Sequence, residues 1–304
     1  MKITQTLFSY VLLLSALLGL SSLASAQVTR TTAPRVFLID GRRLAETKRR
    51  IQLGDQTFAA ALARLESDAR RAMQQKPSSV VTKPLRRPSG DKHDYLSQAP
   101  YFWPNPSKPD GLPYIRRDGE RNPEINKITD HLALDQMESA VRTLALGYYF
   151  KQQTKSTQRK QQICCAPGFS DPTTRMNPNL EYAQFIPGVN TGRGIGLIET
   201  RGLVNVVDAV GLLAGSKSWT VADQKGLETW FGKFLQWMQQ SKNGREEKCG
   251  KEQSWNVLRR ANYFVCVVCR QQRFGKTDRG NRQGKTHRRA NRTRWSPTVG
   301  VGTN

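Results

Sequence analysis

Two stretches of this sequence carry side chains dense enough to do chemistry. The first runs His93-Asp94-Tyr95-Leu96-Ser97-Gln98-Ala99-Pro100-Tyr101-Phe102-Trp103-Pro104-Asn105-Pro106 and continues through Lys108-Pro109-Asp110-Gly111-Leu112-Pro113-Tyr114. Flat rings set beside prolines present fixed faces that suit stacking on sugar rings, with polar neighbours to bond hydroxyls. A plainer reading is a proline-rich loop whose rings only pin it to the core, and composition weighs the two equally. The second stretch is Asn177-Pro178-Asn179-Leu180-Glu181-Tyr182-Ala183-Gln184-Phe185, then Gly188-Val189-Asn190-Thr191-Gly192-Arg193-Gly194-Ile195-Gly196-Leu197-Ile198-Glu199-Thr200-Arg201. Glycines bring backbone close to a ligand, and Arg193 and Arg201 could neutralise a carboxylate. The plainer reading is a helix start with an internal pair between Glu199 and an arginine. Gly192-x-Gly194-x-Gly196 follows no strand pattern, which argues against a dinucleotide site.

Only three histidines are available for proton transfer. His93 lies in the aromatic loop and is the best placed. His131 falls on a helical pattern and reads as structural, and His287 lies in a strongly basic tail.

These segments need elements to hold them. Leu44, Ile51, Phe58, Leu62 and Leu65 recur at helical spacing, which predicts a helix from about 43 to 73. Residues 76–123 read as a long ordered loop, and loops of that length in a compact domain are usually functional. A second helix is predicted at about 124–150, then a loop at 176–194, then helices at about 195–214 and 221–241. Thr220 and Asp223 make a capping-box start for the last of these. No convincing strand alternation occurs. The fold class is therefore all-α, built from paired helices.

The first 26 residues read as an export signal: Lys2, an apolar run from Leu7 to Leu20, then Ala24-Ser25-Ala26 before a cut at Gln27. The apolar run is too short for a comfortable membrane span. The expected location is periplasmic or secreted, with no membrane partner once the signal is removed. The formal charge of +24 invites a nucleic-acid reading, but it is unevenly placed. Residues 249–304 hold 13 Lys+Arg against Glu252 and Asp278, a net +11 without periodicity. All five cysteines, Cys164, Cys165, Cys249, Cys266 and Cys269, are also clustered. Cys266-x-x-Cys269 has no second pair to complete a metal site, so no metal is assigned.

The two chemistry-bearing stretches, read as HDYLSQAPYFWPNPSKPDGLPYIRRDGE and RMNPNLEYAQFIPGVNTGRGIGLIETRGL, closely resemble segments of the alginate lyase family. The resemblance covers about 85–150 and 171–247. It implies an (α/α) toroid of paired helices, here incomplete because its C-terminal part is missing or garbled. It implies β-elimination on a uronic-acid polymer: one side chain neutralises the C5 carboxylate group, a base removes the adjacent proton, and an acid protonates the leaving glycosidic oxygen. Such lyases use Asn, His, Arg and Tyr and no redox cofactor. The partner implied is an anionic uronate polysaccharide, not nucleic acid. His93, Tyr95, Tyr101, Trp103, Asn190, Arg193 and Arg201 are the candidate substrate contacts.

The sequence departs from the family where a segment like NNHGTYYDVQ should supply the catalytic Asn and His. It reads Cys249-Gly250-Lys251-Glu252-Gln253-Ser254-Trp255-Asn256 instead. The genetic code allows Lys248 to Phe264 to be written so that reading one base later yields A-A-K-N-N-H-G-T-Y-Y-D-V-Q-I-I. Lys155 to Ser170 can likewise yield an amphipathic helix in another frame. A shifted frame would place every cysteine and the basic tail in out-of-frame sequence; the plainer alternative is a divergent natural tail. The expected layout is a signal peptide at 1–26, a partial helical domain at 27–247 and an out-of-frame tail at 248–304. On this reading the written chain has no assignable catalytic residue and should be inactive, leaving a carbohydrate-binding remnant as the alternative.

Overall fold

The computed structural model describes residues 33–77, 79–83, 85, 88–151, 168–213, 216 and 218–249. The leader, the inner stretch 152–167 and the tail beyond 249 lie outside the described residues, with the cysteines other than Cys249.

The chain is mostly helical. Helix α1, Gly41–Gln52, starts at Asp40, whose carboxylate accepts from the backbone N–H groups of Arg42 and Arg43. The single helix predicted over 43–73 is broken in two. Gly54 adopts a positive φ of 87° and Asp55 caps a short 3-10 turn, Gln56–Phe58, before helix α2, Ala59–Gln74. Gly-Asp is a stop followed by a start, which the apolar period alone does not reveal. Helix α3, Asp130–Lys151, follows a 3-10 turn at Pro123–Lys127. The helix predicted over 195–214 is 3-10 at Gly194–Thr200 and α-helical only as α4, Leu203–Leu212. Helix α5, Val221–Gln240, opens with the Thr220–Asp223 capping box, and α6 spans Lys242–Cys249.

Helix α3 packs between α2 and α4. Val141, Leu144 and Ala145 of α3 and Val206 of α4 are fully enclosed in the core. Beside them Phe169, Trp230, Phe231 and Phe234 form an aromatic stack, with Trp230 and Phe234 5.2 Å apart between ring centres. Each such side chain stabilises the fold by roughly 1.5–3 kcal/mol through burial. The indole N–H of Trp230 donates to the Met176 carbonyl at 2.7 Å, so the second chemistry-bearing loop is tied to α5.

Strands, absent from the sequence expectation, do form. β1, Leu96–Gln98, pairs in parallel with β4, Tyr182–Phe185; β2, Phe102–Trp103, pairs antiparallel with β3, Ile115–Arg116. Runs of two to four residues are too short to show a period of two. Their importance is positional: the β1–β4 pair joins the two chemistry-bearing stretches.

A buried ion pair fixes this joint from below. Lys83 and Asp130, both almost wholly enclosed, bond each other. The Lys83 ammonium also donates to the carbonyls of Val80 and Asp94, and Asp130 accepts the Leu96 N–H at 3.0 Å. The start of β1 is thereby bolted to the start of α3.

Candidate active site

The β1–β4 joint brings one polar cluster together. Tyr95 is 1% exposed, and its hydroxyl donates to Glu199 Oε2 at 2.8 Å. Ser97 Oγ donates to the same oxygen at 2.6 Å and accepts the Gln184 N–H at 2.8 Å. Gln184 Oε1 accepts from Arg193 Nη2 at 2.7 Å. The Arg193 guanidinium lies over the Phe102 ring, 5.3 Å from its centre. One carboxylate, two hydroxyls, one amide and one guanidinium are thus in series.

Burial holds Glu199 above the usual carboxylate range, against hydrogen bonds from Ser97, Tyr95 and Gln184 that pull it down. Burial first, then the Glu199 charge, raises the Tyr95 hydroxyl well above its ordinary value. For Arg193, burial and the neighbouring Arg116 weaken proton affinity while Glu199 strengthens it. Arg116, cross-strand from Phe102 and bonded to Asp118, adds a second guanidinium near Arg193, and guanidinium groups suit an anion.

The glycines near Arg193 serve packing. A β-carbon on Gly192 would stand 1.9 Å from the Glu181 carbonyl oxygen, and one on Gly196 2.5 Å from the Ala183 β-carbon. The close approach expected toward a ligand is therefore an approach to β4. The internal pair expected between Glu199 and an arginine is replaced by the Tyr95 and Ser97 hydroxyls.

The other candidates lie around this cluster or apart from it. Trp103 donates its indole N–H to the Glu120 carbonyl at 2.9 Å and has Arg117 over its ring, so the loop holds it in place. Tyr101 is 38% exposed. The Asn190 Oδ1 accepts the Ile186 N–H at 3.1 Å, closing the turn that follows β4. His93 Nδ1 bonds the Arg175 carbonyl at 2.6 Å, which leaves Nε2 for other work. Arg175 also lines a cavity of about 440 Å³ with Asn177, Lys225, Trp230 and Lys233. Arg201 is exposed and forms no ion pair with Glu199. Phe102, Ser97, Gln184 and Glu199 belong to the cluster but were not among the sequence candidates. Both stretches contain them, yet only the β1–β4 register shows that they meet.

Known proteins show which family the chain resembles. The alginate lyase family model matches residues 79–266, a span that holds both chemistry-bearing stretches and continues into the cysteine-bearing tail. The crystal structure of an alginate lyase from Bacteroides ovatus is similar, with a TM-score of 0.71 and 37% sequence identity over 78% of this chain. This chain spans 65% of the length of that protein. No curated protein matches. A match running through the aromatic loop, the arginine segment and the helices that carry them, with a solved relative 37% identical over the matched part, places this chain in the alginate lyase family.

Proposed function

We propose that this chain derives from a polysaccharide lyase that cleaves alginate or a related uronic-acid polymer by β-elimination. The observation that carries the reading is Arg193, held by Gln184 above Phe102 beside a second arginine, Arg116. A uronate carboxylate needs a cation at that point, because the C5 proton becomes acidic enough to remove only when the carboxylate charge is neutralised. The base then takes that proton, the C4–oxygen bond breaks, an acid protonates the leaving oxygen, and a C4–C5 double bond remains.

Within this reading Arg193 is the carboxylate contact. Tyr101, Trp103 and Asn190 line the approach, and Tyr95 supports from beneath. His93 and Arg201 lie further along the polymer path. The helical pairs are part of an (α/α) toroid. Residues 1–26 direct export to the periplasm or medium, 27–247 form the partial catalytic domain, and 248–304 are read out of frame.

A second reading has its own support. The Asn/His segment that the family uses is not written between Lys248 and Asn256, where the sequence reads KCGKEQSWN. The written chain then binds polyuronate without cleaving it. Calorimetric titration with mannuronate and guluronate oligomers tests the uronate site. Binding that Arg193→Ala abolishes supports it, and equal affinity for a neutral glucan oligomer refutes it.

A further inference from the structure

We propose that Gln184 is the positioning residue of this site: its backbone is fixed through Ser97 to the enclosed Glu199 carboxylate, and its side-chain carbonyl holds Arg193 and so aims the guanidinium at the acidic sugar. The proposal rests on the uronate reading for its ligand but not for its geometry.

Gln184 has a φ of 50°, in the left-handed region that residues with a β-carbon rarely adopt. Such a conformation persists where the surroundings over-determine it, and it clusters at functional sites. The surroundings here are specific. Glu199 Oε2 takes the hydroxyl hydrogens of both Tyr95 and Ser97. Ser97 has one hydrogen, so its oxygen is left to accept the Gln184 N–H, and this holds the unusual backbone. The Gln184 side chain then bonds Arg193 through Oε1. A guanidinium only donates, so the amide has one orientation, with its carbonyl toward Arg193.

Each link therefore has a fixed direction from carboxylate to guanidinium. Among the described residues the enclosed Arg193 Nε–H has no protein acceptor. With Nε enclosed and Nη2 committed to Gln184, the Nη1 N–H groups are the donors left for an anionic ligand. Gln184 is 8% exposed, so it acts through Arg193 rather than by touching the polymer.

The test uses the full chain, with two readouts. One is the side-chain Nε–H resonance of Arg193, identified by its loss in Arg193→Lys. The other is calorimetric affinity for a mannuronate oligomer. In Gln184→Gly and Ser97→Ala, hydrogen exchange at Arg193 Nε should quicken and the dissociation constant should rise, each by about tenfold, while Ser97→Thr restores both. In an Arg193→Ala background Gln184→Gly should change affinity no further. Unchanged exchange in both variants would overturn the coupling, as would an affinity loss that persists without Arg193. If Gln184→Gly does not melt cooperatively, the Ser97→Ala and Ser97→Thr pair decides alone. If the unmodified protein fails to bind the oligomer, the uronate reading falls while the exchange measurement still judges the coupling.

Discussion

Arg193 stands over the face of Phe102, its guanidinium carbon 5.3 Å from the ring centre. The two residues come from different loops, and the β1–β4 joint is what brings those loops together. A ring beneath a guanidinium holds its plane and excludes water from one side. Phe102→Leu keeps the apolar filling but removes the π face. It should weaken binding of a uronate oligomer by about 1 kcal/mol, roughly fivefold, with little change in melting temperature. Titration of both proteins at one salt concentration checks this.

Lys83 and Asp130 should matter to the fold more than any surface pair. Removing one partner leaves the other buried and charged. Lys83→Met should cost about 3–5 kcal/mol in a denaturant melt, whereas Arg64→Ala, which breaks the exposed pair with Asp68, should cost under about 0.5 kcal/mol.

One carboxylate takes three backbone N–H groups of the lead-in chain, whose Val36, Phe37 and Ile39 also pack on the core. Asp208 on α4 accepts the backbone N–H groups of Phe37, Leu38 and Ile39 at 2.6, 2.9 and 3.1 Å. Asp208→Ala leaves three donors without that acceptor and should destabilise by about 2–4 kcal/mol. Limited proteolysis should then cut within residues 33–40 at a rate the unmodified chain does not show.

Glu138 predicts a pH dependence. Burial, then the charge of Asp135, raises its carboxyl from an ordinary 4.5 to about 8, with Arg201 opposing. The fold therefore binds this proton more tightly than the unfolded chain does. Its stabilising contribution is full below about pH 4.5 and is lost as pH rises through about 8. Glu138→Gln carries no titrating proton and should flatten that loss, on the order of 2–4 kcal/mol, in denaturant melts between about pH 5 and pH 9.

What the sequence made legible was local. The Thr220–Asp223 capping box is a three-residue signal, and it stands where the letters place it. The apolar face of α5 was equally visible, because Trp230 and Phe234 lie one turn apart. The site was legible only in part. Arg193 stood out by its charge among glycines. Phe102 did not, because Tyr101 and Trp103 flank it and a strand sends neighbouring side chains to opposite faces. Gln184 was hidden for a different reason: its role depends on a backbone angle and on Ser97, 87 residues away. Pairings that distant are set by tertiary packing and leave no mark in a window of sequence.

On the function proposed above, a uronate site survives here while the catalytic segment is out of frame. The most direct measurement follows ultraviolet absorbance of unsaturated uronate in alginate solutions, with the written chain and with a chain whose frame is restored after Lys248. The account predicts a steady rise with the restored chain and none with the written one. No rise from a folded restored chain would contradict the lyase assignment, and a rise from the written chain would contradict the loss of its catalytic segment.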